Sequence, residues 1–271
     1  GEVITEISDR PPNPGDGEIV DCAGLTILPG LIDAHIHAFA GHTNLIANDL
    51  EPITYVAQHA NAMLRNMLDR GFTTARDCGG ADHGLVKAIA DGRMDGPNLF
   101  ICGKMLSQSG GHGDLRNPMH GAVHDEIGVS CGCGHAGHIS VTADGVTGVL
   151  RAARENFRRG ATFIKFAASG GVGSLTGSVT ALQFSDEEVR AIVQECERQE
   201  RYCTAHVHPD AGIRRVIELG VHCIEHASLI EPDSARLAAD RGVFLVPTLS
   251  VAAALKERGA ELGLARRSLE K

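Results

Sequence analysis

"LPGLIDAHIH", Leu28 to His37, closes an apolar run with two histidines one residue apart. Residues i and i+2 of a strand face the same side, so His35 and His37 converge where the strand ends. The same grammar recurs downstream as an amphipathic helix, a Gly or polar turn, and a short apolar strand. Val56, Met63, Leu64, Met67 and Leu68 fall near helical spacing and stop at Gly71, ahead of "FTTARD". Val146, Val149, Leu150, Ala153 and Phe157 stop at Gly160, ahead of "TFIKFAAS". Ser185 and Glu188 form a capping box before Val189, Ile192, Val193 and Cys196, and "YCTAHVH" follows. Ile213, Val216 and Ile217 lead through Gly220 to "VHCIEHAS", and Leu237 and Ala238 lead through Gly242 to "VFLVPTLS". Glycine ends each helix cheaply because it tolerates the left-handed conformation.

Continuous apolar strands alternating with helices imply a parallel sheet covered on both faces, either a (β/α) barrel or a doubly wound sheet. With "LTILPGLIDAHIH" and "NLFICGKML" the strands number seven. A (β/α)8 TIM-type barrel needs an eighth, and the closing segment "AAALKERGAELGLARRSLEK" reads as helix and loop. Residues 1–27, with the turn-rich "DRPPNPGDGEIVDCAG", read as short antiparallel strands of a small, β-sandwich-like accessory domain. Residues 28–271 read as the barrel, incomplete at its C-terminus. The chain begins at Gly1 inside the strand-like "EVITEI", so its natural start is expected upstream. Between Ser107 and Asp144 the sequence is rich in Gly and His with little periodicity, as functional loops are.

The 271 residues, 43% of them hydrophobic, suffice for one sizeable core. A net charge of −9 disfavours a nucleic-acid surface. No stretch approaches the roughly 20 apolar residues that span a bilayer, and no secretory signal is recognisable. Eight cysteines without CxxC spacing read as buried free thiols of a cytoplasmic protein.

Fourteen histidines are many for this length, and several end strands. His206 lies in "TAHVH" and His226 ends "CIEH". Lys165 lies inside the apolar strand "FIKFAAS", where an unpaired ammonium is costly and needs a partner, a lowered pKa or a modification. A single His-x-His also fits two hydrogen-bonded loop histidines. Five such residues at equivalent ends of repeated units fit a metal site at the mouth of a barrel, where active sites of this architecture lie.

The motifs "PGLIDAHIH", "IKFAASGG", "TAHVH" and "IEHAS" resemble the amidohydrolase superfamily. "LSQSGGHGD" and the surroundings of Lys165 are similar to its Xaa-Pro dipeptidase (prolidase)-like branch, which includes ochratoxinase-type enzymes. The resemblance implies a distorted (β/α)8 barrel with two divalent metal ions. His35 and His37 would hold one ion and His206 and His226 the other, with Lys165, carboxylated by CO2, bridging them. Nitrogen and oxygen ligands suit zinc. It also implies hydrolysis of an amide bond, in dipeptides or N-acyl amino acids, by a hydroxide held between the metals. His112 and His208 would contact the small-molecule substrate; a glycine-loop hydrogen bond and packing behind the site are their plain alternatives. The family's proton-accepting Asp after the eighth strand has no matching position, and Asp233 and Asp240 fall on a predicted helix.

Two other readings stand beside this one. A mononuclear deaminase or cyclic-amide hydrolase, imidazolonepropionase-like, would carry His-x-x-Glu after the fifth strand; here Val207, His208 and Pro209 follow His206. A catalytically inactive fragment or binding subunit would explain the missing strand, and an open sheet edge invites association, including a homo-oligomer. "CGCGHAGH" sets Cys131, Cys133, His135 and His138 within eight residues, without the spacing of a standard zinc finger. "SGGVGSLTG" fits either a cradle of backbone N–H groups for a carboxylate or a tight turn.

Overall fold

In the computed structural model, residues 3–10, 15, 17–116, 137–174, 177–264 and 266–271 are described. The first four strands are β1 (Leu31–Ile36), β2 (Phe72–Asp77), β3 (Asn98–Ile101) and β4 (Met105–Ser107). They are followed by β5 (Ser140–Thr142), β6 (Ile164–Ala167), β7 (Cys203–Pro209), β8 (Cys223–Leu229) and β9 (Phe244–Val246). They pair in the orders β1-β2-β3 and β5-β4-β6-β7-β8-β9, and every one of these pairings is parallel. The helices between them include α1 (Leu45–Asp49), α2 (Ile53–Asp69), α3 (His83–Ala90), α4 (Gly145–Arg158), α5 (Asp186–Arg198), α6 (Asp210–Glu218) and α7 (Pro232–Asp240). The fold is therefore the parallel α/β architecture expected, of TIM-barrel type. β1 and β9 stand at the outer ends of the strand orders and do not pair among the described residues.

One expectation needs correction. "NLFICGKML" is two strands: the chain breaks after Ile101, and β4 joins the other sheet. The cause is Asn156 on α4, whose side chain accepts from the Lys104 N–H at 3.3 Å and donates to the Lys104 carbonyl at 2.7 Å. Gly103, at φ +68, sits so close that a Cβ would meet Asn156 Oδ1 at 2.9 Å. The ribbon is kept across the break by Thr162, whose N–H donates to Ile101 O at 2.8 Å. Gly1–Gly30 is a unit separate from Leu31–Lys271, and its described residues form neither strand nor helix. Strands need a partner for every second N–H and C=O, and here Val3, Ile4, Ile7, Ile19 and Val20 are exposed instead.

Within Leu31–Lys271 the apolar faces form two main clusters. One joins Leu106, Ile164, Phe166, Ala205 and Ile224 to Val149, Ile192, Ile213 and Val216 of the helices. The other joins Ile36, Ala75 and Ile101 to Val56, Leu64 and Leu85. Each fully buried side chain of this size contributes about 1.5–3 kcal/mol, which fixes the frames of the strands whose ends carry the histidines. The short strand β5 went unread in the sequence; its three residues gain their ladder only by pairing with β4.

The predicted capping box is present: Ser185 Oγ accepts from Glu188 N–H at 3.3 Å and Glu188 Oε2 accepts from Ser185 N–H at 2.6 Å. Glu188 Oε1 also accepts from Gly145 N–H at 2.6 Å, tying α5 to the start of α4. Ser185→Ala is expected to lower stability by about 1 kcal/mol, and Glu188→Ala by more, because it removes the acceptor of two N–H groups. Urea unfolding of the two variants tests this; equal midpoints for both variants and the parent would contradict it.

Candidate metal centre

β1, β7 and β8 with the residues that follow them bring five histidines together, β6 adds Lys165, and the loop after β4 adds His112. His35 and His37 leave β1 with their Nε2 atoms 3.3 Å apart. His35 lies against His226, ring centroids 4.9 Å apart, and His226 lies against His206 at 4.5 Å. His112 stacks on His206 at 4.0 Å with an interplanar angle of 19°. His208 stacks on His226 at 5.0 Å and meets His206 edge-on at 4.7 Å. Lys165 is 1% exposed on β6 and forms no ion pair among the described residues. Its charge reaches all six imidazoles and depresses the pKa of each.

Burial is the larger cause of those shifts. It pushes His37 and His112 down to about 3 and His208 to about 4, and lowers His35, His206 and His226 as well. All six rings are neutral at neutral pH, the form in which imidazole ligates a metal.

The partners of the first two rings fix where their lone pairs lie. The Nδ1–H of His37 donates to Gly79 O at 3.0 Å, and a carbonyl can only accept. His35 Nδ1 lies 2.7 Å from Glu225 Oε2. Burial alone would raise the Glu225 pKa. The His35 hydrogen bond and the charges of Lys165 and Arg76 outweigh it and hold the group at about 2. An ionised carboxylate accepts, so His35 also carries its proton on Nδ1. Both Nε2 atoms are then bare lone pairs facing each other across 3.3 Å, an arrangement that repels unless a cation lies between them. The donor set fits a metal ion.

Glu225 is fully buried and saturated. It accepts from His35, from the Arg76 guanidinium and from Thr204 Oγ1, the last at 2.6 Å. Arg76 also donates to Ala34 O at 2.7 Å and lies over the Phe163 ring at 5.1 Å. Cys78 Sγ falls within 4.8 Å of donor atoms of His35 and Glu225; its hydrogen bond runs to Ala34 O, and Glu225 orients His35. Asp77 accepts from the N–H groups of Ala38 (2.6 Å), Gly79 (3.0 Å) and Ala81 (3.1 Å), fixing the backbone on both sides of the His37 contact. Around His226 the backbone is strained: His226 and Ala227 have φ of +73° and +48°, a conformation costly for L-residues and concentrated at functional sites. Thr248, itself at φ +48°, places Oγ1 2.7 Å from His226 Nδ1.

All seven residues singled out in the sequence, His35, His37, His112, Lys165, His206, His208 and His226, thus meet at one place. Glu225, Arg76, Asp77, Thr248 and Ser174 were missed. Three had a signal of the kind that exposed Lys165: Arg76, Asp77 and Glu225 are charged residues within the strands "FTTARD" and "CIEH". Asp233 pairs with Arg236 on α7, as a surface residue does. Cys131, Cys133 and His135 lie outside the described residues; His138 points its Nε2 at Glu51 O, 2.9 Å away. In the stretch read as a cradle, Gly170 N–H donates to Ala181 O, Gly171 N–H to Ser174 Oγ, and Ser174 N–H to Gly171 O. The six cysteines among the described residues are free, and all but Cys22 are buried. No helix among the described residues is long and apolar enough to cross a membrane.

Known proteins resemble the chain in sequence and in fold. The sequence profile of the amidohydrolase family matches residues 26–271. The ochratoxinase of Aspergillus niger is 38% identical over 232 residues, 83% of this chain and 48% of that protein. The chain thus spans about half the length of the curated relatives it matches. A prolidase crystallised with N-methylphosphonate-L-proline is 41% identical, with a TM-score of 0.91 over 98% of this chain and 64% of its own. A Xaa-Pro dipeptidase with bound methionine is 28% identical, with a TM-score of 0.72 over 89% of this chain and 59% of its own.

Removing the partner that sets the His35 tautomer should loosen metal more than fold. Glu225→Gln is expected to weaken zinc binding about 10–100-fold, read by competition with a chromophoric chelator. Unchanged affinity in a folded variant would contradict the assigned role.

Proposed function

This chain belongs to the amidohydrolase family, on the branch of ochratoxinase and prolidase, and from that premise we propose that it carries the metal-holding part of a hydrolase that cleaves amide C–N bonds. The observation that carries the reading is the pair of bare Nε2 lone pairs of His35 and His37, 3.3 Å apart and backed by pure acceptors. Two divalent ions, zinc by the chemistry of the donors, would be held by His35 with His37 and by His206 with His226. Lys165 lies between these pairs as a carbamate. CO2 adds to the neutral amine with loss of a proton, turning a buried cation into an anion with two oxygens. That change removes the cost of an unpaired ammonium at a site 1% exposed.

Bound there, the ions supply Lewis acidity, easing proton loss from a nearby water and polarising an amide carbonyl. The chain's own residues do the rest. Glu225 and Gly79 O lock the tautomers of the first histidine pair. Burial keeps all six rings neutral. His112 and His208 stand beside the second pair, where they contact substrate. The substrate class that fits the branch is a dipeptide or N-acyl amino acid with a free C-terminal carboxylate. This reading rests on the relatives crystallised with a phosphonate of proline and with methionine.

Elemental analysis of the zinc-loaded chain, with assay of amino-acid release from such amides, tests the proposal. Two ions per chain with turnover are expected; one ion with deamination, or no ion, would overturn it. His206→Ala should lose metal and turnover together. Lys165→Ala should lose the paired centre and regain part of it with a short-chain carboxylic acid; two ions retained unaided would rule out the bridge.

A further inference from the structure

The turn after β6 bears directly on His112. Ser174 is fully buried, with its Oγ 2.9 Å from His112 Nδ1. The same oxygen accepts the Gly171 N–H at 2.8 Å. Gly171 lies so close to the rings that a Cβ would meet His112 Cε1 at 2.6 Å and His206 Nε2 at 2.7 Å. The His112 backbone is held separately, its N–H donating to the buried Gln183 Oε1 at 3.0 Å.

We propose that Ser174 is a positioning residue that fixes His112 as the Nε2–H tautomer, a neutral donor for the substrate's carbonyl oxygen. A backbone N–H can only donate, so the Gly171 bond occupies a lone pair of Ser174 Oγ. The hydroxyl still has one hydrogen to place, in a site closed to solvent. His112 Nδ1 is the one remaining partner of that oxygen among the described residues. Every buried polar atom is satisfied when the hydroxyl donates to Nδ1, and the ring proton then lies on Nε2. The contrast with His35 and His37 is chemical. Their Nδ1 partners are a carboxylate and a carbonyl, so their Nε2 atoms are bare and ligate. The Nδ1 partner of His112 is a hydroxyl that already accepts, so its Nε2 donates. A fixed donor matters most when the carbonyl oxygen gains charge in the tetrahedral transition state.

The inference rests on the proposed amide hydrolysis for its role, but its tautomer can be measured without turnover. Two-bond 1H–15N spectra of the zinc-loaded, 15N-histidine-labelled chain, with His112 assigned by its loss in His112→Ala, should show Nε2–H; Nδ1–H would overturn the proposal. In Ser174→Ala the His112 signal should move toward the other tautomer. Turnover supplies the second readout. Ser174→Ala should lower kcat by at least about tenfold with KM and zinc content kept, and should cost nothing further in a His112→Ala background. Losses that simply add in the double variant would show that Ser174 acts elsewhere and overturn the role. A chain without any amide turnover would defeat the proposed function while the spectra still decide the tautomer.

Discussion

A single buried carboxylate holds the halves of this centre in register. Glu225 of β8 accepts from His35 of β1 and from Arg76 of β2, and Arg76 reaches on to Ala34 O, one residue before His35. β1 and β8 belong to different hydrogen-bonded sheets, so this polar spoke through the interior relates the histidine pair on one to His226 on the other. A buried charge with fewer partners would be destabilising. Glu225 is tolerable because each oxygen is matched: His35 on one, Arg76 and Thr204 on the other.

That constraint imposes a division of labour among identical side chains. Six imidazoles crowd one mouth, and their intrinsic chemistry cannot distinguish them. The atoms behind them can. A carboxylate and a carbonyl leave lone pairs on His35 and His37; a hydroxyl that already accepts leaves a proton on His112. Left-handed backbone at His226, Ala227 and Thr248 places strain where a ligand ring must be turned, and the flanking core of β6, β7 and α6 supplies the packing that holds it there.

Much of this was legible in the residues. The alternation of amphipathic helix, glycine and apolar strand located β1, β2, β6, β7 and β8, because parallel strands buried on both faces leave continuous apolar runs. The chemistry-bearing side chains were visible because polar groups at the ends of such runs need a reason. Long-range polar pairing was not legible. Nothing local links Arg76 to Glu225, 149 residues apart, or Ser174 to His112, 62 apart. The break between β3 and β4 was hidden for the same reason, since its cause, Asn156, sits on a later helix.

The central claim is that these side chains surround a pair of cations. Crystals of the zinc-loaded chain, measured on both sides of the zinc absorption edge, test it most directly. Two anomalous peaks should flank Lys165, one against His35 and His37 and one against His206 and His226. Peaks elsewhere, or none among these residues, would contradict it.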